Sequence, residues 1–433
     1  MQPVGEFTRI DLAADIGLHL HRLPLFKTVR VDFCISEKLR PGRNTRLALI
    51  SRLLERGTRT LPDLQSLNRF IDDLYGAHYY AAAERMGDFH YIHLCLAVAA
   101  QQYLGAGAPD VLAHGMAFLN QILSAPAGDG VSFREDYLAQ EKRVLNEIIA
   151  DRFNDKIAYA RRRCIEEMCR GEAIVLSPLG DVADFPAIDG RALLHFQREI
   201  LAANRLDVFI SGDIDQEQAR NLAVQLLNWQ RDPGPTAGAE PVLHHRPTER
   251  QVFEYREVQQ ATLVAGYRTG VMYGDEDYPA LVLLNLLLGG EGTSRLFKSL
   301  REEAGLCYYV ASHIEPLSGL LFVVAGIGAE AYGRALDGIE RELDILRQGR
   351  VDSGEIAAAR KLLRAYLLGI GEDRDAHFRY RFRSALVGID ETPEEMWTAV
   401  EYVGGEDLAR VARGLESDTV YMLHGGMRAE VVV

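Results

Sequence analysis

Positive charge is in deficit: 48 Lys and Arg stand against 62 Asp and Glu, a formal net charge of −14. A surface this acidic disfavours nucleic acid and anionic membrane as partners, since both recruit basic patches that release counterions. Cysteine is scarce too. The five residues, Cys34, Cys95, Cys164, Cys169 and Cys307, are odd in number and widely spread. They exclude a disulfide framework and read as reduced thiols of a cytoplasmic protein. Cys164 and Cys169 are poorly spaced for a metal site. Long apolar runs are missing: the strongest, Ala280–Leu288 and Leu320–Ala329, fall well short of the roughly 20 residues that a bilayer needs. Met1–Thr8 has neither a basic start nor an apolar core, so no signal peptide is expected. What remains is ordinary for a globular chain, with 48% hydrophobic and 25% charged residues among 433.

The pattern divides the chain into two halves. The first opens with an alternating stretch, Leu18–Ile35, in which Val29, Val31, Phe33 and Ile35 share a face. Helical patterns cover 43–56, 61–75, 108–124, 134–150 and 158–169. A strand is expected at Phe89–Ala99, and another at Arg205–Ile214 that closes on Ser211-Gly212-Asp213. Pro233, Gly234, Pro235, Gly238, Pro241 and Pro247 then mark a linker over 230–250. The second half repeats the plan. Strands at 261–267, 308–314 and 320–327 alternate with helices at 278–288, 294–304, 332–348 and 353–370, and a strand at Thr419–Leu423 ends it. Strands mixed with long helices, without regular alternation, predict duplicated α+β domains at 1–229 and 251–433 instead of a doubly wound parallel sheet.

Several segments suggest chemistry at first sight. Gly289-Gly290-Glu291-Gly292-Thr293-Ser294 lacks the Lys-Ser/Thr ending of a phosphate loop and follows a helix, so it reads as a chain reversal. His90 and His93 lie an odd number of residues apart in a strand, hence on opposite faces. His19 and His21 share a face but have no acidic neighbour in sequence, so half-exposed strand histidines are expected. Arg52 and Arg56 stack one turn apart on a helix, with Glu55 beside them and Leu47, Ile50 and Leu54 on the other side. Taken alone, that is a solvated charged face ending at Gly57. In Gln140–Ile149, Glu147 lies at the edge of an apolar stripe formed by Val144, Leu145 and Ile148. In Ser294–Val310, a helix, a Gly305 cap and a strand place Arg301 and Tyr308 near a common point, where a cation and a phenol can hold a peptide carbonyl or an oxyanion.

Together these segments resemble the insulinase/pitrilysin family of zinc peptidases, the inverzincins. Within it they are most similar to bacterial two-domain chains related to mitochondrial processing peptidase. The block Ser-Arg-Leu-Phe…Leu-Arg-Glu-Glu-Ala-Gly-Leu-Cys-Tyr over 294–308 carries most of the likeness. The Glu55 helix, Ile71–Ala77, Gln140–Ile149 and the stretch from Asn154 to Glu172 support it. The resemblance implies two homologous α+β domains, each a mostly antiparallel sheet of about six strands backed by helices. It also implies a clam-shell chamber and, in active members, a zinc held by His-x-x-Glu-His and a distant glutamate.

This chain departs from that pattern. Arg52-Leu53-Leu54-Glu55-Arg56 occupies the inverted motif, so Glu55 keeps the general-base position while both histidine positions are arginine. The third-ligand position matches Glu147 best, with Glu141 as the alternative. Guanidinium offers no lone pair to a metal, and without zinc no bound water reaches a pKa near about 7. The expectation is a chain with no metal or cofactor of its own and no hydrolysis when alone, in which an arginine pairs with Glu55 and Glu147. Arg301 and Tyr308 match the family's substrate-holding pair. The implied role is a non-catalytic subunit beside a homologous zinc-bearing partner in a heterodimer, handling peptides. The alternatives are a peptide-binding homodimer of chaperone type and a peptidase with an atypical site.

Overall fold

The computed structural model describes residues 6–13, 15–227, 231–232, 249–290 and 292–425. In the first half, β1 (Glu6–Ala13), β2 (Ile16–Arg22) and β3 (Thr28–Lys38) precede α1 (Arg43–Leu54) and α2 (Leu64–Asp73). Next come β4 (His78–Met86), β5 (Phe89–Ala99), α3 (Val111–Ser124), α4 (Glu135–Ala150), α5 (Lys156–Met168), α6 (Gly190–Ala203), β6 (Arg205–Gly212) and α7 (Gln216–Leu226). The second half runs β7 (Arg250–Tyr255), β8 (Ala261–Arg268), α8 (Tyr278–Asn285), β9 (Cys307–Glu315), β10 (Leu320–Ile327), α9 (Tyr332–Arg347) and α10 (Ser353–Ile370). It ends with α11 (Arg374–Val387), α12 (Pro393–Glu401), α13 (Gly405–Arg413) and β11 (Glu416–His424).

Six strands form one sheet in the order β1-β2-β6-β3-β5-β4, and five form another in the order β7-β11-β8-β10-β9. In each, one neighbouring pair is parallel (β2 with β6, β7 with β11) and the rest are antiparallel. The second order therefore repeats β2-β6-β3-β5-β4 strand for strand, and the duplication inferred from hydropathy is a duplication of topology. The architecture is the mixed one of two helix-backed sheets, the second having five strands among the described residues.

The strands follow the period-2 rule. Leu18, Leu20, Val31, Phe33, Ile35, Ile92, Leu94, Leu206, Val208 and Ile210 point to one face of the six-stranded sheet and are buried in its core. Each such side chain contributes about 1.5–3 kcal/mol on leaving water. The other face carries His19, His21, Arg30, Asp32, His93 and Asp207, and these are buried as well. Alternation of polar and apolar residues ordinarily marks a wet face. Here α11 covers it: Phe378 stacks on the His93 ring at 4.5 Å and meets Phe209 edge-on at 5.3 Å.

The two compact units are therefore not contiguous in sequence. One comprises 1–150, 176–240 and 373–388, and the other 151–175, 241–372 and 389–433. Against the continuous domains read from sequence, 1–229 and 251–433, each half lends a helix. Helix α11 serves the first sheet. Helix α5 packs Ala160, Cys164, Ile165 and Met168 against Val264, Phe322 and Tyr421 of the second. A sheet with helices from its own half on one face needs a further element to dry the other, and that element comes from the other half of the chain. The expected linker, 230–250, lies outside the described residues apart from its ends at 231–232 and 249–250. No helix among the described residues is long and apolar enough to cross a membrane.

Candidate functional site

Helix α1 is a central helix. Asn44, Thr45, Leu47, Leu49, Ile50, Ser51, Leu53 and Leu54 are all buried, so the simple division into a wet face and an apolar stripe does not hold. It ends at Glu55, and Gly57 turns the chain at φ 122°, where any side chain would collide with the Leu61 carbonyl. Cations are favoured at such a carboxyl end. Arg52 sits in this last turn and Arg56 just past the Glu55 cap, and both extend toward α4.

Both reach the same carboxylate, Glu141, which is 2% exposed. Arg52 Nε donates to Glu141 Oε2 at 2.6 Å and Arg56 Nε donates to Oε1 at 2.5 Å. A terminal amine of Arg56 closes a second contact to Oε1. Tyr137, one turn before Glu141, lies under the Arg56 guanidinium at 5.8 Å. Glu147 is exposed and takes no part. This corrects the expectation that an arginine pairs with Glu147. Helix α4 turns Leu138, Glu141 and Leu145 inward, a spacing of three and four residues, whereas six residues separate Glu147 from Glu141 and place it on another side of the helix.

Glu55 pairs with neither arginine. Its Oε1 accepts from the Ala81 N–H of β4 at 3.1 Å, and β4 is the terminal strand of its sheet. Burial pushes the Glu55 carboxyl above its ordinary range, against the lowering effects of the Ala81 N–H and of Arg52. The donor set thus consists of two permanent cations, one carboxylate saturated by them and one carboxyl leaning on the backbone. It does not fit a zinc ion, which requires thiolate, imidazole or carboxylate lone pairs. Among the described residues, no group of three or more His, Cys, Asp or Glu side chains is placed to hold a metal.

In the other unit, Phe297–Glu303 is wound as a wide π-type turn instead of a regular helix, a distortion common at functional positions. Arg301 is exposed and stacks over Phe297 at 4.8 Å. Tyr308 is 47% exposed on the terminal strand β9. The β9–β10 register shifts there, pairing Gly326 with Tyr309 and Ile327 with Cys307, so Tyr308 is the extra residue of a bulge and is re-aimed by it. Its ring lies on Gly326, where a Cβ would strike it. Tyr308 lines an open cleft of about 560 Å³ with Gln259, Gln260, Gly326, Gly328 and Glu330; Arg301 is not part of that lining. At the end of α8, Leu286–Gly290 is π-wound and breaks at Gly289. Glu291 lies outside the described residues.

Sequence reasoning missed the polar cluster beneath α11. His19 and His21 do share a face, but both are buried, contrary to the half-exposed expectation. His19 Nε2 meets Asp207 at 2.9 Å and His93 Nε2 meets Asp32 at 2.8 Å. His21 and His377 stack at 3.9 Å with their Nδ1 atoms 3.2 Å apart. His93 lies opposite in face to His90, as the odd spacing requires. Burial, reinforced by His21 and Arg381, drives His377 well below the usual histidine range. The available signal was the alternating run Arg30-x-Asp32-x-Cys34, whose polar members match neither a wet face nor a core. All five cysteines are buried.

Comparison with known proteins agrees with these features. A family model described as the peptidase M16 inactive domain matches residues 187–363. A Bacillus subtilis protein named probable inactive metalloprotease YmfF is 30% identical over 409 residues, covering 94% of this chain and 95% of that protein. A second B. subtilis protein, named uncharacterized zinc protease YmxG, is 25% identical over 240 residues, 55% of this chain and 58% of its own. A crystal structure of a conserved Enterococcus faecalis protein superposes with a TM-score of 0.87 at 25% identity, over 98% of this chain and 100% of that one. A Pseudomonas fluorescens structure described as a peptidase M16 inactive domain has a TM-score of 0.79 at 15% identity, over 98% of each chain, a likeness of fold alone. Similarity to YmfF from end to end, on two duplicated helix-backed sheets, places this chain in the M16 family of peptidases, the insulinase/pitrilysin family.

Proposed function

We propose that this chain is a non-catalytic M16 family member that binds peptides and works beside a homologous zinc-bearing subunit. The observation that carries the reading is the Arg52–Glu141–Arg56 cluster, in which two guanidinium groups occupy the carboxylate that would otherwise face a metal. Glu55 alone has no activated water to deprotonate. The name given to the B. subtilis relative, probable inactive metalloprotease, points the same way. The exposed Tyr308, seated on a bulge beside an open cleft, supplies a phenol for a peptide backbone, and the terminal strands β4 and β9 offer edges to which an extended segment can add. Zinc belongs to the partner in this scheme, and both chains reside in the cytoplasm.

The test mixes the purified chain with a homologous subunit carrying His-x-x-Glu-His and follows cleavage of a quenched fluorescent peptide. Neither chain alone should reach the rate of the mixture. Arg301→Ala and Tyr308→Phe should each lower kcat/KM of the mixture by about tenfold, the scale of one lost charge-assisted or oxyanion contact. Chelator-sensitive cleavage by the solitary chain, with stoichiometric zinc bound, would overturn the reading. Peptide binding by a self-associated dimer that never stimulates cleavage would replace it with the chaperone-type alternative.

A further inference from the structure

The two arginines are not used up by Glu141. A guanidinium has five N–H donors. Arg52 spends one on Glu141, through Nε, and Arg56 spends Nε and one terminal amine. Neither has any other hydrogen-bond acceptor among the described residues. Water reaches both, since the Arg52 side chain is 26% exposed and the Arg56 side chain 16%. Glu141 is the one carboxylate to which either arginine donates, so terminal amines of both groups stay open at the mouth of the cluster. The remaining nearby carboxyl, Glu55, is turned onto the Ala81 N–H and accepts from neither arginine. Glu141 holds the Nε sides of both groups, which limits their rotation and leaves terminal amines as paired donors. A fixed planar fork of this kind suits a carboxylate, which it can engage with parallel N–H···O bonds. The site also lies beside a strand edge, because Glu55 reaches from the end of α1 to β4, the last strand of its sheet.

We infer that Arg52 and Arg56 form a carboxylate-binding site, in which their free terminal amines hold the C-terminal carboxylate of a peptide lying along β4. The inference deepens the peptide-binding reading and rests on it. It supplies the chemistry of one end of the ligand: where a metal would polarise an internal carbonyl, the paired cations select a chain end. The same chemistry could be met by an Asp or Glu side chain within a longer peptide, and the experiment separates the two sources.

Fluorescence anisotropy on the full chain would compare three labelled peptides of common sequence: one with a free C-terminus, one amidated, and one amidated with a Glu at the last position. The free acid should bind at least about tenfold tighter than the plain amide, as expected for two charge-assisted hydrogen bonds. The Glu-containing amide should stay within about threefold of the plain amide. Arg52→Gln should abolish the preference. Arg52→Lys, which keeps the charge and is the safer variant for folding, should reduce it to a fewfold effect because the fork is lost. Equal binding of acid and amide overturns the carboxylate site and leaves peptide binding standing. Tighter binding of the Glu-containing amide reassigns the site to acidic side chains and overturns the chain-end claim. A preference for acid that survives both Arg52 variants places the recognition elsewhere and overturns it too. No binding of any of the three removes the peptide-binding reading along with this inference.

Discussion

Glu141→Gln is the substitution that interrogates the site most directly. The change is isosteric, yet it removes the single negative charge that two guanidinium groups share at 2.6 and 2.5 Å. One amide oxygen can still accept from one arginine, but the amide NH₂ then faces the N–H donors of the other. Breaking a fully buried pair by neutralising one member costs about 3–5 kcal/mol. Arg52 and Arg56 retain 26% and 16% of their side-chain exposure, so water repays part of that, and about 2–3 kcal/mol is expected here. For a domain of this size, that corresponds to a drop in Tm of roughly 5–10 °C for the unit holding α1. The chain has two compact units, so a single global transition is a poor observable. Hydrogen-exchange mass spectrometry of peptides spanning α1 and α4, with urea unfolding, reads the right unit. Glu147→Gln is the matched control: the residue is exposed, and the change should stay within about 0.5 kcal/mol. Replacing the whole cluster by Arg52→Met, Arg56→Met and Glu141→Leu should recover most of the loss, because apolar packing substitutes for a buried ion triad without desolvation cost. If Glu141→Gln and Glu147→Gln cost the same, the shared-carboxylate account is wrong.

Two further outcomes follow from the same geometry. Arg52→His with Arg56→His should convert the cluster into two imidazoles one turn apart facing Glu141, a donor set that zinc accepts; equilibrium dialysis with metal analysis should find about one zinc per chain, lost on adding Glu141→Ala and kept on adding Glu147→Ala, and the reverse dependence would restore Glu147 to the ligand position. Stability of the first unit should fall on acidification below about pH 6.5, because His377 and His90 are both buried and held below the usual histidine range, His90 at about 4. The unfolded chain then takes up protons that the folded chain refuses, at about 1.4 kcal/mol per group per pH unit. His93 is raised by Asp32 and Glu84 despite its burial, so its contribution is complete below about pH 6.5 and fades as pH rises through its raised value, leaving the decline between about pH 6.5 and 5 to the other two. Urea unfolding at pH 7.5, 6.0 and 5.0 should show the decline and a shallower slope in His90→Leu/His377→Phe; an unchanged slope in that variant would refute the assignment.

Much of the fold was legible in the residues. Strands with unbroken alternation or apolar runs, such as Phe89–Ala99 and Leu320–Ile327, lie where their periodicity puts them, because burial of one or both faces leaves a local signature. The terminal strands β1 and β4 and the short β7 were not picked out. An edge strand is only partly buried, and β4, as His-Tyr-Tyr-Ala-Ala-Ala-Glu-Arg-Met, carries a composition that does not alternate cleanly. Helix α11 reads in sequence as a polar, arginine-rich stretch, since among the side chains it buries His377, Tyr380, Arg381 and Ser384 are polar and stand beside Phe378 and Phe382, so no clean apolar stripe marks it.

By itself, the amino-acid sequence determined the duplicated α+β plan, the likeness to a zinc peptidase family and the loss of both imidazoles at 52 and 56, all of which reside in residue identity or in short-range period. Only the tertiary structure decided that Glu141 and not Glu147 meets the arginines, that Asp207 partners His19 across the chain, and that each half lends a helix to the other's sheet. Those outcomes depend on which way a helix is rotated and which strand lies beside which. Such choices are made by packing between segments far apart in sequence, where local spacing carries no information.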